Sequence, residues 1–337
     1  MVWSGRPCVN FRPSTCLRLV GIGLLIWLLL GADWTTLGEI IARVEVTYLY
    51  VMPACTAALV AVRAWRWNIL LASQGIPFTQ WRACAAYLSG IFIGTFTPGR
   101  LGDLSKALYV RQERDISWES ALSGAVLDRL FDLLFMVCMA IWAVVHLDLL
   151  GAIRPHLGVI VDAPHVRGLV FALVLVAFLI VALVVPPLRR LGRAFGVFIS
   201  SLRGECETLM RLVGWHAAAL TGLAYAIYFA QTVALARGLN LPLGASDIIA
   251  SIVLVGLASF LPLSVAGLGT REGGLALIMA HRAVPDSLEA SLAYSALFFA
   301  FCFVVPGLLG FACFWQRPLS WQALRRSTSE AFDMGDD

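Results

Sequence analysis

The sequence predicts an all-α polytopic membrane protein, and three observations carry that expectation. Apolar residues fill 60% of the 337 positions against 14% charged. Mean hydropathy is +0.83, and the apolar residues gather into runs long enough to cross a bilayer. A soluble domain carries about 45–50% apolar and about 25% charged residues, so an ordinary water-soluble enzyme is excluded. Net charge is +4, and every basic residue except Lys106 is Arg. A balance this weak and scattered excludes a nucleic-acid partner. The eight cysteines lie mostly inside apolar runs without a Cys-x-x-Cys pair. They read as packing thiols and imply neither a disulfide frame nor a zinc site.

A helix crossing the hydrocarbon core needs about 20 apolar residues. Six stretches meet or approach that length, at 17–32, 46–62, 121–146, 168–185, 215–236 and 291–313. The first follows Arg6, Arg12 and Arg18 and has a poor cleavage site at Gly31-Ala32-Asp33, so it reads as a retained signal-anchor. Two shorter apolar runs, 83–97 and 248–261, stop at Pro98-Gly99-Arg100 and at Pro262. Pro removes a backbone donor and Gly admits unusual dihedrals. Such backbone is tolerated at membrane depth only where protein or a water-filled cavity covers it. Both runs are therefore expected to be re-entrant broken-helix hairpins.

Six full crossings, two hairpins and cytoplasmic termini place 18 basic residues inside and 6 outside, with Arg129 within a span. That is the bias of the positive-inside rule; eight full spans are the alternative. The expected organisation is a cytoplasmic N-tail (1–16), a single integral membrane domain (17–315) and a cytoplasmic C-tail (316–337). Within it, residues 189–213 set Leu191, Phe195, Phe198, Leu202, Leu209 and Val213 on one stripe, with five arginines elsewhere. This reads as an interfacial amphipathic helix. The two hairpins enter from opposite faces, and residues 98–108 loosely echo 262–277. An inverted repeat is the arrangement this suggests.

Three groups could carry chemistry. Asp128, Arg129 and Asp132 lie inside an apolar run, where each charge costs at least about 2.5–3.5 kcal/mol. Asp128 and Asp132 share a helix face and repel, so Asp128 is expected to find a cation on another helix. These residues form a buried polar cluster or else snorkel at the interface. Arg100, Asp103 and Lys106 follow Pro98 at helical spacing. They suit a phosphate at a helix start, or form an ordinary capped helix with a surface salt bridge. Thr270, Arg271 and Glu272, among Gly267, Gly269, Gly273 and Gly274, suit close approach to a ligand, or a solvated pair on an outer turn. His146, His156 and His165 show no metal-ligand spacing, and no nucleophile, phosphate-loop or metalloprotease motif occurs.

Pro98-Gly99-Arg100-Leu101-Gly102-Asp103 before Lys106, Leu127-Asp128-Arg129-Leu130-Phe131-Asp132, and Pro262 with Gly267-Leu268-Gly269-Thr270-Arg271-Glu272 resemble the three marks of one family. It is the flippase-like family related to the lysylphosphatidylglycerol synthase transmembrane region. The family more usually carries Glu at the positions of Asp103 and Asp128. The resemblance implies a cell inner-membrane protein that moves a phospholipid or polyprenyl-linked lipid between leaflets, without a cofactor. It implies lipid contacts from Pro98, Gly99, Arg100, Gly102, Asp103, Lys106, Asp128, Arg129, Asp132, Gly267, Gly269, Thr270, Arg271 and Glu272. The polar tail is too short for the transferase domain of the two-part synthases, so aminoacyl transfer is not expected. The alternatives are a membrane-embedded transferase using Asp103 or Asp128 as base and a non-catalytic accessory subunit. Candidate partners are a second copy of the chain and enzymes of a lipid pathway.

Overall fold

The computed structural model describes residues 23–76, 78–96, 105–113, 116, 118–148, 204, 207–258 and 267–316, and these are helical with short turns. In chain order the helices are α1 (Gly23–Gly31), α2 (Trp34–Ala42), α3 (Val46–Ser73), α4 (Gln80–Phe96), α5 (Ser105–Glu113), α6 (Trp118–His146) and α7 (Glu207–Gly238). They continue with α8 (Ala245–Ala258), α9 (Thr270–His281), α10 (Ser287–Phe299), a π-helical turn (Ala300–Val304) and α11 (Val305–Gln316).

Among the described residues, four helical stretches are long and apolar enough to cross a membrane: α3, most of α6, α7, and the continuous run 287–316. A fifth is counted if α1 and α2, bent by 91°, form one broken span. Six were expected; the candidate at 168–185 lies outside the described residues. Exposed Trp27, Trp215, Trp315, Ile141 and Leu308 give these helices the apolar exterior that lipid requires, with Trp the side chain enriched at membrane interfaces.

Two boundaries correct the sequence reading, and the end of the first span agrees with it. The span expected at 46–62 runs on to Ser73, because residues 54–74 contain neither Gly nor Pro. Gly75, at φ 72°, ends it. Arg63 and Arg66 therefore belong to a span and not to a loop; with Arg211 and Arg237 inside α7 as well, the inside and outside charges become 15 and 5. The span expected at 215–236 begins by Glu207. Leu209 is buried with Leu70, Leu127 and Ala217, and Val213 packs on them. These two residues of the expected interfacial stripe thus belong to a protein core; 189–203 lie outside the described residues. The first span, expected at 17–32, turns at Ala32-Asp33. There Asp33 caps α2 by accepting from the Thr35 backbone N–H at 2.9 Å and from the Thr36 hydroxyl at 2.9 Å.

The two short apolar runs form helices. α4 ends at Phe96, just before Pro98, and α8 at Ala258, before Pro262. Helix resumes at Ser105 and at Thr270, while 97–104 and 259–266 lie outside the described residues.

The chain divides into two compact units. The first comprises residues up to Leu59, Tyr87–Ser105 and Ile227–Trp315. Here α11 approaches α4 so closely that a Cβ at Gly310 would collide with the Leu88 carbonyl, and Phe92 meets Phe311 and Phe314 at 5.3 and 6.0 Å. The Asp33 N–H at the start of α2 donates to Glu289 of α10 at 3.0 Å. The second unit comprises Val60–Ala86, Lys106–Ala226 and the C-terminal residues. In it α3, α6 and α7 pack through the leucine cluster, and Phe135 stacks on Tyr225 at 4.3 Å.

Candidate functional site

Among the described residues, each unit holds a buried ionic cluster. In the second unit, α6 places Asp128 and Asp132 one turn apart, 0% and 3% exposed. One guanidinium answers both. Arg66 of α3 donates from Nε to Asp128 Oδ1 at 2.7 Å, and from Nη1 to Asp132 Oδ1 at 2.8 Å. Nη1 also donates to Thr221 Oγ1 of α7 at 2.7 Å, and Nη2 to the Asp128 carbonyl at 3.1 Å. Lys106 of α5 donates to the other Asp128 oxygen, Oδ2, and lies 5.4 Å from the Trp67 ring centre. Tyr225 O–H donates to the Asp132 carbonyl at 3.3 Å. Two acids at like-charge spacing coexist because a planar fork bridges them and Lys106 supplies the second positive charge. Arg129, next to Asp128, is only half-buried and points to another side of α6.

The first unit repeats this chemistry at the start of α9. Gly267 and Gly269 adopt φ of 79° and 82°, a region that glycine alone enters readily. That turn lets the Gly269 N–H donate to Glu272 Oε2 at 2.6 Å and the Thr270 hydroxyl to the Gly267 carbonyl at 3.1 Å. Arg271 Nη2 donates to Glu272 Oε1 at 2.7 Å, and Nε to Ser295 Oγ of α10 at 2.5 Å. Ser295 O–H in turn donates to Glu272 Oε1 at 2.6 Å. Phe298, Phe299 and Phe303 stand 5.4, 5.4 and 5.9 Å from the guanidinium carbon, a cation–π wall. Arg271 and Glu272 are 4% and 3% exposed, so the alternative of a solvated outer turn is excluded.

The other predicted residues divide. Pro98, Gly99, Arg100, Gly102 and Asp103 lie outside the described residues. Gly273 and Gly274 serve packing: a Cβ there would stand 3.4 Å from Leu24 and 3.0 Å from Val255. The structure adds Arg66, Thr221, Tyr225, Ser295 and the three phenylalanines. Among the described residues, no cluster of His, Cys, Asp and Glu could hold a metal ion.

A family model described as the lysylphosphatidylglycerol synthase TM region matches residues 17–310, which span both clusters and nearly all the described helices. The chain belongs to the lysylphosphatidylglycerol synthase transmembrane-region family. No curated protein matches it. Family membership and the apolar helices make it a multi-pass membrane protein related to lipid modification or transport. In this family member the buried charges sit on or beside candidate spans, where a polar group without use is costly.

Proposed function

We propose that this chain moves a phospholipid or lipid-linked carrier between the leaflets of the cell inner membrane, with both termini cytoplasmic. One observation carries the reading. Arg271 is the second residue of a helix that starts at a glycine turn, Lys106 lies eight residues beyond Pro98, and each is buried and bonded to an acid. A helix start offers free N–H groups and a positive dipole end. With a buried cation beside it, such a start suits a lipid phosphate that enters by displacing the carboxylate partner. The acids keep the cations compensated while no lipid is bound, since an unpaired buried charge costs several kcal/mol.

Proteoliposomes carrying the purified chain and headgroup-labelled phospholipids test this. Protein-dependent exchange of label between leaflets, with no new lipid species, is the expected result. A chemically modified lipid would assign the chain to the transferase class instead. Neither exchange nor modification would leave the accessory role.

A further inference from the structure

The short helix α2 leaves α1 at 91°, and both of its ends are tied to the ends of candidate spans in the same unit. At its start, a Cβ on Gly31 would stand 3.9 Å from Leu288, and the Asp33 N–H donates to Glu289 at 3.0 Å. Leu288 and Glu289 open the run 287–316. Beyond its finish, the Glu45 N–H donates at 3.2 Å to the carbonyl of Gly238, the last residue of α7.

Those two span ends share one face of the membrane. From Asp33 to Glu45 the chain reaches at most about 24 Å, with nine residues helical at about 1.5 Å and the rest at up to about 3.5 Å each. The two faces of a bilayer, headgroups included, stand about 40–45 Å apart. The run 287–316 also amounts to about 45 Å of helix, more than the hydrocarbon core of about 30 Å. Its polar opening turn, Ser287 to Glu289, therefore stands at the water boundary. A helix strung between two points on one face, at right angles to the apolar α1, runs along the surface and does not complete a crossing.

The side chains of α2 suit that plane. At about 100° per residue, Leu37, Ile41 and Trp34 fall within an arc of about 60°. Leu37 is buried, while Trp34 and Ile41 are 63% and 39% exposed. Thr35, Glu39 and Arg43 occupy the opposite arc, and the Glu39–Arg43 pair, 2.8 Å apart, is exposed. An apolar edge carrying Trp beside a charged edge matches the boundary between acyl chains and headgroups. We propose that α2 is an in-plane helix whose Trp34–Ile41 edge is seated in that boundary, so that its partner is the lipid surface of one leaflet.

Depth measurement tests this. Single cysteines introduced by Trp34→Cys, Thr35→Cys, Glu39→Cys and Ile41→Cys into a Cys-free full chain are spin-labelled and reconstituted in phosphatidylcholine–phosphatidylglycerol vesicles. All four positions are exposed, so the label enters no core. Oxygen, which concentrates among acyl chains, and a water-soluble nickel chelate then report the depth of each label. Labels at 34 and 41 should share one depth, whereas a helix continuing into the bilayer would separate them by about 10 Å. Labels at 35 and 39 should meet the chelate more than those at 34 and 41. A depth gradient from 34 to 41 overturns the proposal, and so does equal access of the chelate to all four positions. Neither readout involves lipid exchange, so failure here and failure of lipid transport are separable.

Discussion

Arg66→Met isolates the contribution of the guanidinium that bridges Asp128 and Asp132. The substitution removes four hydrogen bonds, two of them to carboxylates. Lys106 stays bonded to Asp128, while Asp132 loses its direct ion pair and keeps only the longer-range attraction of Arg63 and Arg129. Breaking a buried pair so that one charge is uncompensated costs about 3–5 kcal/mol. At about 2 °C per kcal/mol for a chain of this size, the melting temperature should fall by about 6–10 °C. Adding Asp132→Asn removes the surplus charge and leaves the Lys106–Asp128 pair. The double variant should therefore melt above Arg66→Met, although it carries one more substitution. Thermal unfolding of the full chain followed by size-exclusion chromatography measures this. The reasoning is refuted if Arg66→Met melts within about 2 °C of the parent, or if Asp132→Asn lowers stability as much in the Arg66→Met background as alone.

Arg271→Lys keeps the charge but loses the planar fork and its stacking. Leaflet exchange should fall about tenfold or more, and a rate equal to the parent's would make the Arg271 cluster purely structural. Gly310→Val places a branched side chain against the Leu88 backbone, so stability should drop by about 1–3 kcal/mol; an unchanged melting temperature would contradict the close approach of α4 and α11. In a Cys-free background, cysteine at position 200 should react only from the cytoplasmic side and at 156 only from outside, and the reverse pattern would overturn the proposed orientation.

Asp128 and Asp132 were legible because an acid within an apolar run conflicts with its surroundings, and Glu272 because four glycines flank its pair with Arg271. Arg66 was not. Hydropathy falls across Arg63-Ala-Trp-Arg66-Trp-Asn, which reads as a span ending. Yet no helix breaker occurs before Gly75, and that continuity was the signal for a longer α3. Its partnership with Asp128, 62 residues away, is tertiary and leaves no mark in local sequence. Ser295 and Thr221 were hidden for a related reason: small hydroxyl residues in apolar helices are common, and only the arriving guanidinium gives them a role. The π-helical turn before Pro306 was not expected, because 291–313 reads as one uninterrupted apolar span.

The central claim is that the buried charges serve lipid movement and not folding alone. The leaflet-exchange rate of the Arg66→Met/Asp132→Asn variant, per folded molecule in proteoliposomes, tests it most directly, since this variant removes the bridge while leaving charge balanced. The account predicts a variant that folds and inserts yet exchanges labelled phospholipid at least about tenfold more slowly than the parent. Exchange at the parental rate would contradict it.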